Sequence, residues 1–394
     1  MRLGVFGDIR SKGRFLTRIN RVFWGLVIML VLMACSSAEG EQTPPSATSN
    51  NSIESTASPS QVSTVQSTPS PVPTIQPSLT PTLSISPYLI NSTPEAVTLS
   101  GWYIHVQYIR AFRDAIWLSD QRFALAGDAG AYLYEISSSP LNITKTDWVQ
   151  AEHIAYNLVI KPDGQFIAFD DGEAVQLWDI ASKHTTSTLR GHSQQVVSLA
   201  YSPKGTFLAT SSIDKEVKLW DGTSLRNIAS IKKIPDWILA LAFSPDESTL
   251  AGGSGDGSLT LWDPSNGNEL WSIQAHQGEI YALQFTTDGS TIITGGADGF
   301  IRFWGIFEQG TQNEFYCDCV SVTAMELSHD GKILAWGGLD GLIRIWDMES
   351  QRLLTVLTGH DGVILSVRFN PADTALVSTG SEGKAKLWDL SLLK

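Results

Sequence analysis

Beyond about residue 100, apolar and polar residues alternate in short runs. Val196-Val197-Ser198-Leu199-Ala200-Tyr201 is one, and Arg352-Leu353-Leu354-Thr355-Val356 is another. A period of two sends successive side chains to opposite faces of a strand. Ser-Pro and Asp-Gly pairs interrupt the runs and mark turns. Helical spacing of apolar residues is absent across this region, so the pattern predicts an all-β body.

The runs recur on a fixed beat. Trp178, Trp220, Trp262, Trp304, Trp346 and Trp388 are each 42 residues apart. An apolar residue precedes every one, and aspartate follows all but Trp304, where Gly305 stands. A weaker copy, Leu133-Tyr134-Glu135, lies 44 residues before Trp178 and makes seven copies. Each copy reads as strand, turn, short apolar strand, acid turn, Trp-Asp strand, polar loop and outer strand. Repeats of this length signal propellers or solenoids.

Seven in-phase Trp-Asp copies resemble the WD40 repeat family, which implies a seven-bladed β-propeller with one four-stranded sheet per blade. The resemblance covers residues 101–394. It also implies a structural hydrogen-bond network of histidine, hydroxyl, acid and tryptophan. Three sets fit: His192, Thr210, Asp214 and Trp220; His276, Thr294, Asp298 and Trp304; His360, Ser378, Glu382 and Trp388. In each, the acid fixes the imidazole, which orders the hydroxyl and the indole N–H. The copies between them have Ile234 and Asp318 in place of histidine, and Gly252 and Trp336 in place of the hydroxyl. Polar locking is therefore expected in alternate blades only. The acid turns at Asp128, Asp214, Asp256, Asp298, Asp340 and Glu382 read as hairpin chemistry rather than calcium loops, because no copy has a calcium loop's ligand density.

Only five residues follow Asp389, too few for another strand. The outer strand of the last blade must come from elsewhere. The alternating segment Gly101-Trp102-Tyr103-Ile104-His105-Val106-Gln107 is expected to pair beside the Trp388 strand and close the ring, removing two open edges.

Charge changes the picture at the other end. Residues 1–21 hold six bases against one acid, and a 13-residue apolar run, Val22 to Ala34, follows. That run is shorter than the ~20 residues of a membrane span. It ends Leu32-Met33-Ala34-Cys35, which resembles a bacterial lipoprotein signal with Met33 where a small residue is usual. The resemblance implies a signal peptide over 1–34 and lipidation of Cys35. An uncleaved signal anchor is the other reading. Residues 35–100 are rich in Ser, Thr and Pro and contain no Lys or Arg. They cannot bury enough apolar surface to offset ordering entropy, and read as a disordered linker spanning roughly 45 Å as a coil.

The whole chain has 394 residues and a net charge of −13. Without residues 1–34, which carry six bases and one acid, 21 bases face 39 acids, a net charge near −18. That balance argues against nucleic acid as a partner. Three cysteines cannot make a disulfide scaffold.

Candidate chemistry is sparse. Cys317-Asp318-Cys319 falls where other copies have Gly-His, and admits a disulfide, two free thiols or part of a metal site. Two sulfurs alone do not hold zinc. No nucleophile elbow, P-loop or His-Glu-x-x-His occurs. His105, His153 and His184 read as surface or loop residues. Trp237 aligns with loop positions on the face that collects the acid turns, and is either an exposed anchor for a partner or folded onto its own blade. Trp336 occupies a position that is small elsewhere and is the second candidate for a binding surface.

These features predict a membrane-tethered, extracytoplasmic propeller that binds protein partners without catalysis, held by its N-terminal lipid. We expect a monomer with no cofactor and no metal. The alternative is an exported hydrolase, lyase or oxidoreductase working in the central funnel, which would need convergent acids, histidines or a metal there.

Overall fold

Among the described residues, the alternating runs become twenty-eight strands in seven antiparallel sheets of four. The structure is a computed structural model and describes residues 98–100 and 112–393, apart from 139–140, 233 and 307–309. The signal peptide, Cys35 and nearly all of the linker lie outside the described residues.

Six blades each use four consecutive strands. Blade 1 begins with Phe112–Ser119, blade 2 with Leu158–Ile160 and blade 3 with Val196–Tyr201. Blades 4, 5 and 6 begin with Ile238–Phe243, Ile280–Phe285 and Val322–Leu327. Blade 7 supplies only Ile364–Phe369, Ala375–Gly380 and Lys384–Asp389 from the C-terminal end. Its fourth strand is Thr98–Ser100, which pairs antiparallel with Lys384–Lys386. The ring is thus closed by an N-terminal strand, but three residues upstream of the segment that the alternation favoured. Residues 101–107 lie outside the described residues. Thr98–Ser100 belong to the propeller and not to the linker.

The inner strands line the axis, and the second strands are buried along almost their whole length, as in Phe207–Ser212 and Thr291–Gly296. Small residues at the ends of the second strands let neighbouring blades approach. A Cβ on Gly295 would lie 2.4 Å from Val322 Cγ1, and one on Gly337 2.3 Å from Ile364 Cγ2. At the equivalent positions of blades 3 and 7, hydroxyls bridge the same gap. Ser211 Oγ donates to the Ile238 carbonyl at 2.7 Å, and Thr379 Oγ1 to the Arg113 carbonyl at 3.1 Å.

Among the described residues, acids clasp three seams at the turns that end the inner strands. Glu247 accepts the Lys204 N–H at 2.6 Å, and Asp373 accepts those of His329 and Asp330 at 3.0 and 3.1 Å. Both acids have positive φ, 67° and 54°, where the in-phase residues of blades 3, 5 and 6 are Gly205, Gly289 and Gly331. The left-handed backbone costs a non-glycine residue about 1–2 kcal/mol, and charge-assisted bonds of about 1.5–3 kcal/mol each offset it. Asp120 does the same at the 7–1 seam, accepting from Asn370 Nδ2 and the Ala372 N–H, both at 2.9 Å.

Candidate functional site

The three tetrads assemble on the face of the acid turns. In blade 3, the Trp220 indole N–H donates to Thr210 Oγ1 at 3.0 Å. Thr210 Oγ1 lies 2.8 Å from His192 Nε2, and His192 Nδ1 lies 3.0 Å from Asp214 Oδ2. The chain of donors requires a neutral imidazole with its proton on Nδ1. Burial agrees, pulling the His192 pKa below its ordinary value against the pull of Asp214. Burial pushes the Asp214 carboxyl the other way, but the Ser193 N–H and His192 hold it below the usual carboxylate range.

Blade 5 repeats the chain. Thr294 Oγ1 lies 2.8 Å from Trp304 Nε1 and 2.7 Å from His276 Nε2, and His276 Nδ1 lies 2.8 Å from Asp298. Arg302 adds a 2.7 Å bond to Asp298. In blade 7, His360 bonds Ser378 at 2.7 Å and Glu382, while Trp388 donates to Ser378 at 2.8 Å. All three imidazoles are buried with both nitrogens engaged.

The blades between these differ from one another, which alternation alone does not anticipate. Blade 4 is unlocked at this point. The Trp262 ring lies where a side chain at position 252 would go, 2.5 Å from a Cβ built on Gly252. Blade 6 has a different lock. Cys317 and Cys319 form a disulfide and are buried, and Arg344 Nη2 bonds Asp340 at 2.8 Å and the Asp318 carbonyl. Blade 2 has a partial one, since His153 bonds Asp171 at 2.9 Å, so this histidine is a ligand of the next hairpin rather than an idle loop residue.

Trp336 is a correction. It is 2% exposed, so it presents nothing to a partner. Its ring packs against Phe315 at 5.6 Å and Trp346 at 6.0 Å, filling the volume that histidine and hydroxyl occupy elsewhere. Trp237 is half-buried; its carbonyl accepts the Gly255 N–H at 2.8 Å. The exposed apolar residues on this rim are instead Tyr316 and Val320, at 54% and 52%, flanking the disulfide.

The axis carries a group of charges that the motif search missed. Arg368 on the inner strand of blade 7 bonds Asp114 of blade 1 at 3.1 Å. Asp114 also accepts from Ser366 Oγ at 2.6 Å and from the Leu158 N–H of blade 2 at 3.2 Å. Glu326 of blade 6 accepts the Phe369 N–H, and its other oxygen stands 4.0 Å from Arg368 Nε. Burial pushes the Glu326 carboxyl up to about 7, against the charge of Arg368. The signal was present in the repeat: Gln284, Glu326 and Arg368 are each 42 residues apart, polar in a row where Ala200 and Ala242 precede them. Asp114 sits in the irregular first copy and could not be phased.

Asp170 is a second buried carboxyl, taking N–H bonds from Tyr156, Asn157 and Gln195. Burial outweighs those donors and pushes it up to about 7. Among the described residues, no group of three or more His, Cys, Asp or Glu is placed to hold a metal ion.

The family model for the IFT122 first beta-propeller matches residues 154–393. The matched span runs from the approach to blade 2 to the end of blade 7, about three-fifths of the chain. A comparison with curated proteins found no match. With seven four-stranded blades in a ring and this match over six of them, the chain belongs to the IFT122 first beta-propeller family, a WD40-type propeller.

Proposed function

We propose that the protein is a non-enzymatic scaffold that binds protein partners on the face of the acid turns. One observation carries the reading: the tetrad histidines and the acids that face them are consumed in locking their own blades. The three tetrad histidines have both nitrogens bonded, and Asp298 and Asp340 are paired with arginines. A rim so committed offers shape and anchors rather than acid–base chemistry, and propellers of this type serve as interaction platforms. The unlocked loop of blade 4 with Trp237, and the Tyr316–Val320 knuckle of blade 6, are the anchors.

The location we propose is extracytoplasmic, with the propeller tethered to a membrane through lipidated Cys35. The basic start, the short apolar run and the small residues before Cys35 support it. So does the Cys317–Cys319 disulfide, since such bonds persist in oxidising compartments. Metabolic labelling with palmitate tests the anchor; label retained in Cys35→Ala rejects it. Crosslinking in envelope fractions, comparing wild type with Trp237→Ala and Tyr316→Ala, tests the face. Loss of a crosslinked partner supports the reading, and an unchanged partner set with both variants rejects it.

A further inference from the structure

Two cavities on the propeller axis share Leu158, Val159, Leu199, Leu241, Gln284 and Arg368 in their walls. The larger, about 380 Å³, opens among the turns that end the inner strands, on the face opposite the tetrads. Small-ligand pockets run from about 300 to 1,000 Å³ and are mostly apolar with a few placed polar groups. This one has Trp117, Phe243, Phe369 and Leu241 for walls, with Glu326, Arg368 and Gln284 at its inner end.

We propose that this mouth binds a small zwitterion, an α-amino acid with an apolar side chain, with its ammonium on Glu326 and its carboxylate on Arg368. The two charged groups are held from behind and left open in front. Asp114 and the Val367 carbonyl fix the guanidinium through Nη2 and Nη1. The Phe369 N–H fixes one oxygen of Glu326. Between the two side chains, Arg368 Nε and Glu326 Oε1 stand 4.0 Å apart, beyond hydrogen-bond length. Each therefore keeps bonding capacity toward the cavity.

The spacing suits one charge pattern. The nitrogen and the nearer carboxylate oxygen of an α-amino acid lie roughly 2.7 Å apart by standard bond lengths. Set across a 4.0 Å donor–acceptor gap, they close a four-cornered ring of alternating charge with ordinary hydrogen bonds on both sides. A lone cation would meet the Arg368 charge there, and a lone anion would meet Glu326. The Gln284 side chain makes no hydrogen bond among the described residues and offers a third polar contact in the same lining. The site is on the opposite face from Trp237 and stands independently of the scaffold reading.

Titration calorimetry on the full chain with a panel of L-amino acids tests this, followed by analogues of the best binder. The expected result is saturable binding of an apolar amino acid, weakened at least about tenfold for its carboxamide and for its N-acetyl form. Glu326→Gln keeps an acceptor for Phe369 and should lower affinity by a similar factor while remaining folded. Gln284→Ala should weaken binding less, and serves as a second variant should Glu326→Gln misfold. The proposal is overturned if no amino acid binds, if both analogues bind as well as the parent, or if the folded variants bind like wild type.

Discussion

Truncating one tetrad histidine should unlock one blade and no other. In His276→Ala, the chain loses the contacts of Nδ1 with Asp298 and Arg302 and the Thr294 hydroxyl bond to Nε2. The bond to Asp298 is charge-assisted and contributes about 1.5–3 kcal/mol; the hydroxyl bond is neutral and contributes about 1 kcal/mol. Asp298 is not stranded, but the buried Thr294 hydroxyl loses its acceptor. Asp298 keeps Arg302 and the N–H groups of Gln277 and Phe300, and Thr294 keeps Trp304. The net loss should be about 3 kcal/mol, or roughly 5 °C in melting temperature for a domain of this size. The comparison is Ile234→His in blade 4. There Gly252 has no hydroxyl and Trp262 fills the space, so an installed imidazole finds no chain to join. Trading partly buried isoleucine contacts should cost about 1 kcal/mol. Scanning calorimetry on both variants reads the difference. Equal losses, or none at His276, would refute the account of alternate locking.

Other outcomes follow from the same geometry. Trp336→Ala should lose about 3–5 kcal/mol in urea unfolding, because the indole fills the core of blade 6 against Phe315 and Trp346. Deleting residues 1–100 removes the strand beside Lys384–Lys386 and should lower the melting temperature and promote association, whereas deleting 1–97 should do neither; light scattering during a thermal ramp separates them. Glu326 has a carboxyl raised from about 4.5 to about 7, so the folded state holds its proton longer than the unfolded state. The stability this contributes is present below about pH 4.5 and lost as pH rises through 7, about 3 kcal/mol in all. Wild type should therefore lose stability relative to Glu326→Gln between pH 5 and 8, and a pH-independent difference would contradict the burial assigned to that carboxyl.

Much of this protein was legible because the repeat converts spacing into geometry. A residue 18 after a histidine and 10 before a tryptophan must sit on the second strand of the same blade, which is why the tetrads could be placed from numbering alone. What the repeat could not show was non-local. Trp336 reads as an outlier on a strand; its burial depends on Trp346 of the next strand and on Phe315, which packs against both from the outer strand of blade 5. The closing strand was misplaced by three residues because Gly101–Gln107 alternates more cleanly than Thr98–Ser100, while pairing is set by the edge it must fill. Cys317 and Cys319 left three chemistries open until their proximity was seen. The axial charges were half legible: Gln284, Glu326 and Arg368 keep the beat, but Asp114 lies in the copy whose spacing is irregular.

The central claim is that the loop at Trp237 lacks the histidine–acid lock that holds the loops at His192, His276 and His360. Hydrogen exchange read by mass spectrometry on the native full chain tests it most directly. Peptides spanning residues 191–195 and 275–279, whose N–H groups at Ser193 and Gln277 bond tetrad acids, should exchange slowly. The peptide spanning 234–237 should exchange much faster. Equal protection of all three loops would contradict the claim.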